Sequence, residues 1–480
     1  CMPVADAEDA EADETIILTV TNGAGYVLGS VTTGIVTLAN ETAASPPSAK
    51  EAARFLVQAA FGPDQDSTND VDQIPENVES VMAAGFEAWI EDQFTRPVGL
   101  LQPFTEYAPT LNQFYNDPKQ TAWWNRAMEV PTLVPGGPVQ ATDPLRQRLG
   151  FALSQILVIS DRPETLAVEP VAMAHYYDML LTNAFRSYRD LLFNVTIHPC
   201  MGFYLSHLKN RKPDPVNNIF PDENYAREIM QLFSIGLWEL NQDGTRRLDT
   251  NGLPIPTYDN SDITEFARVF TGMSYGPTNA AAFLNAPQNF LVPMKRWDEY
   301  HDCDAKTLLN GVALPARTPS NPDTGAATLL DLDAAIDNLF WHTNTAPFIG
   351  KQLIQRFVTS NPSTGYVARV SAVFNDNGSG QRGDMKAVLR AILLDDEARD
   401  PAFMSDPKFG KQREPFLRVV NLARALNASA SVGYYALDQF FSDRYEQPMN
   451  SPSVFNFYLP GYLPPGLLAE NGLLGPEYQI

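Results

Sequence analysis

Cysteine is almost missing from this chain: 480 residues hold three, Cys1, Cys200 and Cys303. Three thiols build no disulfide framework, and no Cys-x-x-Cys pair offers a zinc site. One Cys200–Cys303 bridge and two inert buried thiols are the alternatives left. Positive charge is scarce too, with 34 Lys and Arg against 57 Asp and Glu and a formal net charge of −23. Such a surface repels phosphate backbones and anionic lipid, which excludes nucleic-acid binding and polybasic membrane docking as expectations. No apolar run reaches the ~18 residues of a membrane span, so no transmembrane segment is expected. No charged-then-apolar signal follows Cys1, and the chain reads as a mature or trimmed product whose targeting signal is not visible. A lipidated Cys1 fits poorly, because a strand pattern begins where a tether would be flexible. Five histidines form no HExxH or HxH pair, which leaves a helix-borne zinc-hydrolase site unsupported. No GxSxG elbow or Ser-His-Asp set is assembled. Glycine-rich phosphate loops and strand–helix alternation are missing as well, against Rossmann and P-loop folds.

What is present is ample core material, 44% apolar and 11% aromatic, enough for one large domain or two. Residues 1–41 differ from the rest. ETIILTV (14–20) and SVTTGIVTLA (30–39) are β-branched runs around a turn-rich connector, a hairpin-like pair too small to stand alone. The acidic run DAEDAEADE (6–14) leads into the first strand. Its Asp6, Glu8, Asp9, Glu11 and Asp13 are candidate calcium ligands, since hard cations prefer clustered carboxylates; a solvated, self-repelling loop is the plainer reading. Residues 42–50, small and Pro-containing, read as a linker. From 51 onward helical periodicity dominates, at 51–62, 77–94, 144–160, 171–185, 188–197, 334–341, 347–358, 367–374, 385–394 and 413–427. Polar insertions at 241–262 and 312–325 and 38 prolines suggest ordered loops over a helical body. The expected fold is mainly α, a large multi-helix domain over 51–480 behind a small β remnant.

PDENYAREIMQLFSIGLWELNQDG (221–244) is the most informative stretch. Asp222 is a natural N-cap, and the helix is expected to end at Gly236 or to run on to the Asp243-Gly244 turn. On a helical wheel Tyr225, Ala226, Ile229, Met230, Leu232 and Phe233 share one arc, while Asn224, Arg227, Glu228 and Gln231 fill the other. That second arc is either wet or a buried polar face built for chemistry. The preceding loop, RKPDPVNNIFPDE, holds enough oxygen donors for a cation, though turn chemistry explains them too. In WDEYHDCDAKTLLNG (297–311), His301 and Lys306 stand among Asp298, Glu299, Asp302 and Asp304. A carboxylate beside an imidazole orients it for proton transfer, and a lysine could bind an anion; a charged loop ahead of a short apolar strand is the plainer reading. His198, before Pro199, reads as a capping or packed imidazole. KQREPFLRVV sets Arg413 and Glu414 at a helix start, where Glu414 favours the dipole.

Residues 1–41 resemble the C-terminal half of a Calx-beta repeat, an immunoglobulin-like calcium-associated sandwich. The resemblance rests on the acidic segment, the EADETIILTV strand and the closing SVTTGIVTLANE. It implies calcium and a missing half supplied by preceding residues or by a neighbouring chain. Asn40 stands where that family often has the first of an acidic pair. From about 48 to 480 the chain strongly resembles the family catalogued as domain of unknown function 1800. The motifs are AARFLVQAAFGP, DENYAREIMQLFSIGLWELNQDG, ITEFARVFTGMSY, YHDCDAKTLLNG, PFIGKQLIQRFVTSNPSTGYVARVSAVFNDNG, RGDMKAVLRAILLDDEAR, REPFLR and SPSVFNFYLPGY followed by GPEYQI. This resemblance implies a secreted, periplasmic or cell-surface protein and a sulfatase-like partner. The family's polar signature falls on Asn224, Arg227, Glu228, His301, Lys306, Arg356, Arg413 and Glu414. The chain departs from the pattern at Asn310-Gly311 and at Cys303.

Two functions follow as expectations. One is an extracellular adhesion, matrix or assembly component displayed on β-sandwich repeats. The other is a secreted hydrolase of envelope or polysaccharide, with Glu228 and His301 as acid and base. Substrate binding would then fall to Arg227, Asn224, Lys306, Arg356, Arg413 and Glu414. The hydrolase demands that Glu228, His301 and Arg413 meet in one concave pocket.

Overall fold

Helix Ala49–Ala59 shows how local signals build the body. Ser48 caps it: the hydroxyl accepts from Glu51 N at 3.4 Å, and Ser48 N donates back to the Glu51 carboxylate at 2.8 Å. This reciprocal box satisfies two amides that the first turn leaves open. Ala52, Phe55, Leu56 and Ala59 then form the buried face. The computed structural model describes residues 14–19, 33–38, 46–64, 74–111, 114–130, 142–276, 282–430, 433–435 and 446–480.

The molecule is mainly helical, as expected. Its strands form three two-stranded antiparallel ladders among the described residues, with no closed sheet. Glu14–Thr19 pairs with Thr33–Leu38, Glu14 opposite Leu38, so the expected N-terminal hairpin-like pair forms. Asp6, Glu8, Asp9, Glu11 and Asp13, with Cys1 and Asn40, lie outside the described residues. Lys306–Leu308 pairs with Val312–Leu314, the short apolar strand expected behind the 297–305 loop. Cys200 and Cys303 are free thiols, which settles their alternative against a bridge.

The expected helices form close to their predicted bounds, with informative exceptions. The single helix expected over 77–94 is two, Val78–Ala84 and Phe86–Thr95. Gly85 between them has φ +83°, a left-handed conformation that ends one helix and re-aims the next. The expected 144–160 helix stops at Ser154. The 334–341 segment starts earlier, as Ala326–Phe340. Pro118–Ala127 and Asn260–Val269 were not expected. The first is buried on every side, which erases the amphipathic signal that periodicity depends on.

One contiguous core runs through these helices. At its centre Phe416 meets Trp123 edge-on at 5.2 Å and Phe151 at 4.9 Å. These contacts join helices Pro415–Ala425, Pro118–Ala127 and Pro144–Ser154. Helix Thr345–Phe357 packs on Thr364–Asn375, and Asn224–Gln231 on Asn260–Val269. Because Phe416 is wholly enclosed, Phe416→Ala should lower unfolding stability by ~3–5 kcal/mol in urea denaturation. A loss under ~1 kcal/mol would mean the three aromatics do not pack as one unit.

Candidate functional site

The 221–244 stretch folds as a helix of two turns, Asn224–Gln231. Asp222 is not its N-cap: Glu223 holds that position without a side-chain bond, while Asp222 accepts from Asn224 N at 2.8 Å. The helix also ends before Gly236, whose φ of +73° and contact with Phe348 leave no room for a Cβ. The chain then enters an arm over 237–257, joined by single bridges Trp238–Pro256, Leu240–Arg246 and Leu248–Pro254. Tyr225, Ala226, Ile229 and Met230 are buried, as the wheel required. The polar arc splits. Asn224 is exposed, and Arg227 sits at the surface 3.5 Å from Glu223. Glu228 is buried, with Oε2 unpartnered. Burial pushes its carboxyl up, against the pull of Arg227.

His301 and Lys306 lie in a second place, gathered around Asp331 of helix Ala326–Phe340. His301 Nε2 is 3.2 Å from Asp331 Oδ2, Lys306 Nζ donates to the same oxygen at 2.8 Å, and Arg317 Nε donates to Oδ1 at 2.8 Å. The other imidazole nitrogen, Nδ1, is 3.1 Å from the Thr271 carbonyl. Lys306 also donates to the carbonyls of Asp302 and Asp304. The side chains of His301, Lys306 and Asp331 are fully enclosed. Burial would raise the Asp331 carboxyl, but hydrogen bonds from His301, Lys306 and Arg317 hold it well below the usual carboxylate range. Nearby, Asp298 accepts from Ser320 and Thr328, which overcome burial and hold it at about 2. This is a folded clamp that ties the 297–320 loop to two helices. Both ring nitrogens of His301 are engaged, so neither faces a substrate.

Arg356, Arg413 and Glu414 do converge, in a third place. Tyr458 donates to Glu414 Oε1 at 2.8 Å, and Lys411 Nζ lies 3.5 Å from the same oxygen and 2.8 Å from Glu477. Gln155 donates to Glu446 at 2.7 Å and to Tyr458 at 3.0 Å. Arg148 and Lys411 donate to the Arg356 carbonyl, and Arg413 to the Phe357 carbonyl at 3.1 Å. The Arg356 guanidinium stacks on Tyr458 at 5.1 Å. Burial would raise Glu414, but Lys411 and Arg148 hold it at about 2. Burial and the adjoining Glu414 drive Glu446 well above the carboxylate range. Burial, with Arg148, lowers Arg413 to about 10. Four cations, Arg148, Arg356, Lys411 and Arg413, therefore face the carboxyl groups of Glu414, Glu477 and Glu446.

His301 and Glu228 share no partner, and neither lines the cavities near the third cluster. One of these is a groove of about 640 Å³. Its walls are Leu237, Trp238 and Leu240 of the arm, Phe348 and Gln352 of helix Thr345–Phe357, and Phe455, Leu459 and Leu463 of the C-terminal segment. Gln231 contributes from the 224–231 helix. Lys351 and Arg246 line it as well, and Arg246 stacks on Trp238 at 5.6 Å. Neither cation has a carboxylate partner among the described residues; burial, then Arg246, pushes the Lys351 ammonium down. Gln352 Nε2 is buried without a partner. No group of three or more metal-ligating side chains occurs among the described residues.

A family described as Protein of unknown function (DUF1800) matches residues 54–479. The chain belongs to the DUF1800 family. The match begins beyond the N-terminal strand pair. No curated protein and no solved structure matches the chain. Within the DUF1800 domain, sequence reasoning missed Asp331, Arg148, Lys411, Glu446 and Glu477 as members of the two buried clusters. Arg148 ahead of the apolar LGFAL run and Asp331 in LLDLDAAI were the available signals, since an enclosed charge demands partners.

Asp298 and Asp331 are both depressed. Their contribution is thus present above the ~4 of an unfolded carboxylate and lost as pH falls below it. Asp331→Asn should cost ~3–5 kcal/mol at pH 7, because Lys306 stays buried without its counter-charge. The gap from wild type should narrow as pH drops below about 4, measured by urea denaturation across pH. A gap independent of pH would rule out the ionic clamp.

Proposed function

We propose that this DUF1800 protein is an exported recognition component that binds an anionic amphiphile, its apolar body in the groove and its charged head at Lys351 and Arg246. The observation that carries the reading is the pairing of a mostly apolar groove with two cations that have no carboxylate partner among the described residues. A volume of about 640 Å³ suits a small molecule, since ligand pockets span roughly 300–1,000 Å³. Leu237, Phe455, Leu459 and Leu463 are each more than two-fifths exposed, and covering them from water supplies the driving force. The unpartnered Gln352 amide adds a polar anchor beside the head.

This reading replaces the adhesion, matrix or assembly role with ligand recognition, and it sets the acid–base hydrolase aside because His301 is engaged by Asp331 and Thr271, apart from Glu228. Secretion or surface display belongs to the proposal. So does a Calx-beta-like N-terminal unit, completed by preceding residues or by a neighbouring chain, with calcium at its acidic run. A sulfatase-like partner fits the same exported setting.

Dodecanoate should bind more tightly than dodecanol in calorimetric titration. Lys351→Ala should weaken dodecanoate by ~10-fold or more, the size of one lost charge-assisted hydrogen bond, and leave dodecanol unchanged. Equal affinities of wild type and variant for dodecanoate would overturn the assignment.

A further inference from the structure

We propose a second binding site, for a phosphate or sulfate monoester, in a basic cavity of about 520 Å³ that shares Leu474 with the groove. Its lining includes Lys408, Lys411, Arg413 and Arg418 and no aspartate or glutamate. In a chain with 57 acidic and 34 basic residues, such a wall is far from an average sample of the surface.

Several of these donors are unspent. Arg413 gives one amino group to the Phe357 carbonyl, while its other, Nη1, is buried without a partner. Lys408 and Arg418 are exposed and meet no carboxylate among the described residues. Lys411 lines the cavity as well, but its ammonium is buried and engaged by Glu477, Glu414 and the Arg356 carbonyl. Arg148 and Arg356 stand in the same cluster, each with two orphaned guanidinium nitrogens. Glu414 and Glu477 lie in that cluster beneath four cations, while the lining of the cavity itself carries no acidic side chain.

A tetrahedral dianion answers that arrangement better than a single carboxylate. Guanidinium forks match its oxygens in pairs, and ammonium groups add point charges. The cavity also exceeds what a bare oxyanion fills, and Phe409, Leu473 and Tyr478 offer an apolar wall to an ester's organic part. The site is independent of the groove: a ligand there would touch neither Lys351 nor Arg246.

Calorimetric titration at fixed ionic strength tests it, with phenyl phosphate, inorganic phosphate and chloride as probes. Phenyl phosphate should bind, and the double variant Lys408→Ala/Arg418→Ala should weaken it ~10-fold or more. The unliganded melting temperature of that variant, expected within a few degrees of wild type, reports that it folds. Lys351→Ala should leave phenyl phosphate binding intact, which separates failure here from failure of the groove. Unchanged affinity in the double variant, or an equal response to chloride, overturns the site. Equal affinity for inorganic phosphate overturns the ester and leaves the free oxyanion as ligand.

Discussion

Enclosing Glu414 and Lys411 together is the constraint on which the C-terminal third of the molecule depends. Neither charge survives burial alone, since an ion removed from water costs several kcal/mol unless partners replace the solvent. The partners come from distant parts of the chain. Gln155 follows the 144–154 helix, Arg356 lies near the end of the 345–357 helix, and Tyr458 and Glu477 belong to a segment with little regular structure. Residues 446–480 contain one short α-helix and one 3₁₀ turn, so local hydrogen bonding does little to place them. The charges do so instead. The walls that this segment gives to the groove and to the basic cavity are held by a polar network beneath them.

The same reasoning separates two carboxylates that look alike in sequence. Asp331 is enclosed with three cationic or imidazole partners, and its field is spent on folding. Glu228 is enclosed with one surface arginine near it and an oxygen facing no donor. Burial raises that carboxyl, and no paired cation offsets the cost. His301 has the opposite character, with both nitrogens committed. Two residues expected to act together thus serve different physical ends.

Most of the helical body was legible because amphipathic periodicity survives wherever one helix face meets water. Tyr188–Ile197 and Met385–Leu393 matched to within a residue for that reason. Pro118–Ala127 was invisible because burial on all sides removes the contrast. Asn260–Val269 was noticed only as a motif, although Asp259 and Asp262 form a capping box that the sequence spells out. At the site, the polar residues themselves were legible and their grouping was not. Arg413 and Glu414 are adjacent in sequence, but Arg148 joins them from far upstream and Glu477 from near the C-terminal end, and no spacing rule spans such distances. The groove escaped notice entirely, since a concavity is a property of three segments at once.

The division of charge between outside and inside sharpens what the molecule can select. A net charge of −23 repels an anion at long range, yet at physiological salt that repulsion fades beyond roughly 8 Å. Inside that distance the ligand meets local charge, which at the 408–418 wall and at Lys351 and Arg246 is positive. Screening does less to the half-buried Lys351 than to an exposed charge, so attraction there outlasts the repulsion as the ligand approaches. An acidic surface therefore does not forbid anionic ligands. On the proposed reading it confines them to the concave places lined by cations, without the competing weak sites that a basic surface would offer everywhere else.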